Sequence, residues 1–214
     1  MNSISRMVPP VETAGPSITV YRTKFHLETE QTFRLRWFAD EHAELFLNGE
    51  FLCAGSAGCT PRRWFLENFE RPLPAGDYTL TARVTMFGHN LAPHAQESVA
   101  FGFYAESELL TNGWECQVLH HLEFTPPYPD WAMAPRMTAA PEFNWRALEG
   151  EGGEWEPVAF RKDTRPLFPR PVPPMEEKPE QGYRIVERPG GTELFVFDQY
   201  VCVWSDFRFR GTGS

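Results

Sequence analysis

Asp40, Glu41 and Glu44 are the residues whose types and spacing first suggest chemistry. Cleavage of a glycosidic bond needs two carboxyl groups held ~5–10 Å apart across a cleft. These three stand at a corner between two alternating segments, where Asp and Glu also serve turns and solvation. No second acidic cluster complements them, so the corner reading outweighs the catalytic one. His89 and His94 bracket Asn90-Leu-Ala-Pro93, and an H-x4-H spacing without cysteines or a His-Glu motif is a poor zinc signature. His120 and His121 fall on an expected strand, where neighbours point to opposite faces and cannot hold one ion together. Nucleophile elbows, phosphate loops, dinucleotide fingerprints and EF-hand loops are all missing. The sequence therefore predicts no catalytic residue, no metal ligand and no cofactor, with calcium on scattered loop carbonyls left open.

Aromatic side chains are the remaining functional candidates. A sugar lays its C–H face on an aromatic ring and takes hydrogen bonds from a few polar neighbours. Trp37 alternates with inward apolar residues and reads as core. Trp64, after Arg62-Arg63, and Tyr128 with Trp131, in a proline-rich stretch, are the candidates for a carbohydrate platform. Packing against a neighbouring domain is the competing reading for all three.

The elements that must carry these residues are strands. Phe33, Leu35 and Trp37 alternate with Arg34, Arg36 and Phe38, so one face reads as apolar and the other as largely solvated. Asn48-Gly49 separates two apolar runs and predicts a type I′ hairpin, because both central residues of that turn need positive φ. Tyr78, Leu80, Ala82, Val84 and Met86 alternate with Thr79, Thr81, Arg83 and Thr85, as in an antiparallel strand with one wet face. Ile18–Leu27 reads as the first edge strand, Val99–Tyr104 as another, and Trp114–Phe124 as one or two more. Seven or eight strands at such spacing predict a two-sheet sandwich or jelly roll.

Twelve of the 20 prolines fall between Pro126 and Pro179. Proline at that density removes ladder donors and favours extended connectors, with one short helix expected around Asn144–Leu148. Strand signals resume at Tyr183–Glu187, Glu193–Asp198 and Tyr200–Phe209. The predicted layout is a flexible N-terminus at 1–16 and a jelly-roll β-sandwich at 17–125. A Pro-rich connector follows at 126–180, and the first strands of a second sandwich at 181–214.

The net charge of −9 is shared by both halves, so nucleic acid is a poor partner. No stretch approaches the ~20 apolar residues of a membrane span. The first 16 residues lack the apolar core of a secretion signal, which predicts a cytoplasmic chain or a piece of something larger. Cys53, Cys59, Cys116 and Cys202 are widely spread, and only the C-x5-C pair Cys53/Cys59 leaves a loop-closing disulfide open.

Four stretches, in order, resemble the N-terminal region of bacterial α-L-rhamnosidases. They are Ala39-Asp-Glu-His-Ala-Glu-Leu-Phe-Leu-Asn-Gly-Glu50, Ala105-Glu-Ser-Glu-Leu-Leu-Thr-Asn-Gly-Trp-Glu-Cys116, Trp155-Glu-Pro-Val158 with Pro166–Glu177, and Phe195-Val-Phe-Asp-Gln-Tyr200 with Phe207–Gly211. The resemblance implies a galactose-binding-like jelly roll, a Pro-Arg-Pro linker and the opening of a second sandwich. It also implies an accessory role beside a catalytic domain, with carbohydrate as a partner. That family's catalytic acid and base lie in a later helical barrel, so none is carried onto this chain. Gln199-Tyr200 departs from the pattern, standing where a glycine usually follows the aspartate.

Overall fold

The computed structural model describes residues 4–11, 16–56, 59–60, 62–87, 100–125, 136–173 and 182–198. The chain opens with β1 (Ile4–Val8), β2 (Ser17–Leu27), β3 (Gln31–Ala39), β4 (His42–Leu47) and β5 (Glu50–Gly55). A short β6 (Cys59–Thr60) precedes two long strands, β7 (Arg63–Leu73) and β8 (Gly76–Met86). β9 (Phe103–Glu106), β10 (Glu115–Leu119), β11 (Leu122–Thr125) and β12 (Arg136–Ala139) lead to a 3₁₀ helix at Trp145–Glu149. After it come β13 (Glu156–Pro157), β14 (Ala159–Asp163), β15 (Leu167–Pro169), β16 (Tyr183–Arg188) and β17 (Thr192–Phe197).

The chain divides into two compact units, Met1–Val172 and Pro173–Ser214. The first is an all-β sandwich, as the alternation predicts. One sheet runs β14-β1-β9-β3-β7-β15 with β6 beside β7, and the other runs β13-β10-β2-β8-β4-β5. Every pairing is antiparallel except that of β15 with β7. Phe33, Leu35 and Trp37 of β3 share one core with Tyr21, Phe25, Leu45, Leu80 and Ala82 of the facing sheet. Phe25 stacks on Phe33 at 5.4 Å and on Tyr78 at 5.3 Å, so the aromatic rings fill the space between the sheets. Asn48 and Gly49 hold φ of 50° and 82°, the left-handed pair that a type I′ turn requires.

Several expectations are corrected. β2 is an interior strand between β10 and β8, not an edge. Phe38, expected on a wet face, is fully buried and stacks on Trp64 at 4.4 Å and Tyr104 at 5.3 Å. The N-terminal stretch read as flexible contains β1, which pairs along its whole length with β14. The segment read as a connector supplies β12, β13, β14 and β15. Its prolines are tolerated because Pro157 and Pro169 lie on strands at the outer edges of their sheets, where a missing donor costs little. The short helix appears as the 3₁₀ turn, with Asn144 as its N-cap and Gly150 in the left-handed conformation at its end.

That segment also covers the outer face of the six-stranded sheet. Ile18, Val20 and Leu119 pack there against Phe143 and Ala147 in a second, smaller core. Thr81, an outward residue by alternation, is buried for the same reason.

In the second unit β16 and β17 pair antiparallel around the expected Pro189-Gly190-Gly191 turn. The register places Tyr183 opposite Phe197 and Ile185 opposite Phe195. The Tyr183 ring lies 5.1 Å from that of Phe195 and 5.8 Å from that of Phe197. The expected strand Tyr200–Phe209 lies outside the described residues.

A buried ion cluster fastens the β1–β14 edge. Asp163 accepts from Arg6 Nε at 3.0 Å, and from the backbone N and Nε of Arg165 at 2.9 and 3.0 Å. Arg6 also donates to the carbonyls of Ala100 and Phe101. A Cβ at Gly102 would fall 2.8 Å from the Arg6 guanidinium, at a φ of +150°. Only glycine fits there. Burial pushes the Asp163 carboxyl up, but the Arg165 hydrogen bonds and the two guanidinium charges outweigh it and hold the group at about 2. Against an ordinary value of 3.8, that depression corresponds to about 2 kcal/mol. The folded-state value is lowered, so the contribution is present in full above about pH 4 and lost as pH falls through about 2. Urea unfolding of Asp163→Asn should show a deficit of about that size at pH 7, narrowing as the pH approaches 2. A deficit independent of pH would remove the carboxylate charge from the account.

Candidate functional site

The acidic corner is built by the bend between β3 and β4. Asp40 and Glu41 are each 1% exposed, where the corner reading expected solvated groups. Asp40 Oδ1 accepts from the backbone N of Ala100 at 3.0 Å, and Glu41 Oε2 from that of Phe87 at 2.6 Å. The Asp40 backbone N donates to the Gly102 carbonyl at 3.1 Å. The two carboxylates thus grip the chain on both sides of residues 88–99. Glu44, three residues further along in β4, pairs with Arg83 at 2.6 Å. The three acids serve the fold, as hydrogen-bond acceptors and an ion-pair partner.

Trp64 is also a correction. It is fully buried, with Phe38 stacked against its ring and the Arg165 guanidinium 4.3 Å from its centroid. No ring face is left for a sugar. Its neighbour Arg63 is exposed, which is the signal that suggested exposure. Alternation along β7 then puts Trp64 on the opposite face. Tyr128 and Trp131 lie outside the described residues, as do His89 and His94. His120 and His121 sit in the turn after β10 instead of on a strand, with His121 at a φ of +65°. Its Nδ1 lies 3.5 Å from Glu142 Oε1.

Cys53 and Cys116 are free thiols, so the Cys53–Cys59 disulfide does not form. Burial pushes the Cys53 thiol up to about 12, with the Glu67 charge adding to it. Burial and Glu156 push Cys116 up to about 11. Neither is a thiolate nucleophile near neutral pH. Among the described residues no group of three or more His, Cys, Asp or Glu side chains could hold a metal ion. No described helix is long and apolar enough to cross a membrane.

Among the described residues, two clefts border β10. The smaller, about 490 Å³, includes Arg22, Thr23, Asn112, Trp114 and Glu115. Its polar groups are largely spent on one another. Arg22 Nε donates to Glu115 Oε2 at 3.0 Å and its guanidinium lies 3.7 Å from the Trp155 ring centroid. Thr23 Oγ1 donates to the Gly113 carbonyl at 3.0 Å.

The larger cleft, about 610 Å³, lies between β10 and the segment around the 3₁₀ helix. Leu119, Phe143 and Ala147 give it an apolar side, and His120, Glu142 and Glu154 a polar one. Asn144 shapes its wall by accepting from the Arg146 backbone N at 3.2 Å. Gly152 and Gly153 follow with φ of 73° and 75°. A Cβ at Gly153 would fall 1.9 Å from Gln117 Oε1, so the chain can approach the sheet this closely only as glycine. Trp145, beside the cleft, is 58% exposed and meets Phe143 edge-to-face at 5.0 Å. Sequence reasoning passed over Trp145, treating its neighbourhood only as a helix. The cleft combines hydrogen-bonding groups with apolar surface, as small-molecule sites do.

No family model and no curated protein matches the sequence. Among solved structures the chain is similar to a GH78 family rhamnosidase of Bacillus sp. GL1, at 16% identity and a TM-score of 0.57. The likeness covers 78% of this chain and 19% of that one, so the chain spans about a fifth of its neighbour's length. At that identity the likeness is one of fold.

The corner geometry makes a prediction about Asp40. Asp40→Ala should lower the unfolding free energy by about 1–3 kcal/mol, because a buried backbone donor loses a charged acceptor. Hydrogen exchange should accelerate at the Ala100 amide. Unchanged exchange there would show that the bond protects nothing.

Proposed function

We propose that this chain is a non-catalytic β-sandwich region of a rhamnosidase-like glycoside hydrolase, acting beside the catalytic domain and contacting glycan. The observation that carries the reading is the fold likeness to the GH78 rhamnosidase over 78% of this chain. The order of the four resembling stretches supports it independently. So does the acidic corner, whose carboxylates are committed to backbone amides and face no cleft identified among the described residues. A purely structural interaction module is the second reading. It is favoured by the fate of Trp64, the one sequence-predicted platform residue among those described.

The reading predicts that the purified 214-residue chain does not release nitrophenol from an aryl α-L-rhamnoside. Turnover abolished by Asp40→Asn or Glu41→Gln in a protein that still folds would overturn it and make the corner catalytic.

A further inference from the structure

We propose that the cleft between β10 and the Asn144–Gly153 segment binds one neutral sugar unit, with Trp145 as its stacking platform. This rests on the accessory-region reading and assigns it a place.

Size comes first. At about 610 Å³ the cleft falls within the range of small-molecule sites and exceeds what a single ordered water needs. Charge then narrows the ligand. Glu142, Glu154 and Glu156 line the cleft, and no lysine or arginine does so among the described residues. Phosphates, sulfates and uronic acids would meet like charge with nothing to offset it. Hydroxyl groups donate readily to carboxylates, and imidazole nitrogens of His120 and His121 can both give and accept. A neutral polyol ring matches that inventory.

The inner wall supplies a donor. Gln117 lines the cleft and is 6% exposed, yet its Nε2 has no hydrogen-bond partner among the described residues. Buried amide donors are normally satisfied, so this one is available to a ligand oxygen. Its Oε1 faces Gly153, whose missing side chain lets the wall close around the amide. The apolar contact comes from Trp145, which adjoins the lining residues Phe143 and Asn144 without itself lining the cleft. Trp145 is exposed without being loose, because Phe143 props its ring at 5.0 Å and itself lines the cleft. An exposed, propped indole beside polar groups fits the C–H face of a sugar.

Proton–nitrogen correlation spectra of the full chain, titrated with L-rhamnose, D-galactose and D-glucose, test this directly. D-glucuronate and inorganic phosphate serve as the anionic contrast. The expected result is saturable movement of the Trp145 indole and Gln117 amide signals with at least one neutral sugar and with neither anion. Trp145→Ala, at an exposed position, should weaken that binding about tenfold with the fold intact. Gln117→Met should weaken it severalfold without lowering thermal stability, since the donor is unpaired in the fold. Binding that both variants leave unchanged would overturn the cleft while leaving glycan contact standing. No binding by any neutral sugar would overturn the cleft and favour the structural module. Binding of phosphate at the same signals would overturn the charge argument.

Discussion

Asp163 is the carboxylate on which the closure of the first unit depends. It holds Arg6, 157 residues earlier, and Arg165, two residues later, in one buried cluster beside Trp64. A buried carboxylate is tolerable only when its desolvation is offset by charge and well-directed donors. Here two guanidinium groups and a backbone amide supply both. The same cluster places Arg165 over Trp64, whose other neighbour is Phe38. One ionic contact thus fixes β1 to β14 and seals an aromatic pair on the far side of the seven-stranded sheet. The late part of the chain is bound into the sandwich by it.

Much of this fold is legible in the sequence where one physical rule acts alone. The alternation of β8 and the Asn48-Gly49 turn are local statements, and the structure keeps both. Proline density misleads because it is also a local statement, while the answer is positional. Pro157 and Pro169 cannot donate to a ladder, yet each sits on an outer strand that needs donors on one side only. β14 carries no proline at all, and its partner β1 lies in a stretch with little strand signal. Their pairing spans more than 150 residues, and no window-based pattern can register it.

The site residues show the same division. Asp40 and Glu41 mark a corner correctly, but the amides they accept from belong to Phe87 and Ala100, which only the fold brings near. Phe38 shares a strand face with Arg34 and Arg36, and Trp64 directly follows Arg62-Arg63, so both look like outward residues. Both faces of that sheet are in fact covered, so period two alone cannot tell core from surface. Trp145 was hidden for the opposite reason. A single tryptophan in a short, proline-flanked segment has no periodic context, and its exposure follows from a helix of five residues with one buried member.

Where a ligand can be met is itself a consequence of how the sandwich is filled. Stacked rings such as Phe25, Phe33 and Tyr78 occupy the space between the sheets, and the larger of the two clefts lies outside them. A strand added to that outer face would seal flat against it. A segment with three left-handed glycines at 150, 152 and 153 and an Asn-capped turn makes no such seal. It touches the sheet where Gly150 meets Thr81 and Gly153 meets Gln117. Beside those contacts and the packing of Phe143 and Ala147, residues of β10 line a cleft instead of meeting a neighbouring strand. Irregular backbone is therefore what turns a plain sheet face into a place with a shape, and the glycines that break regularity also decide where that place is.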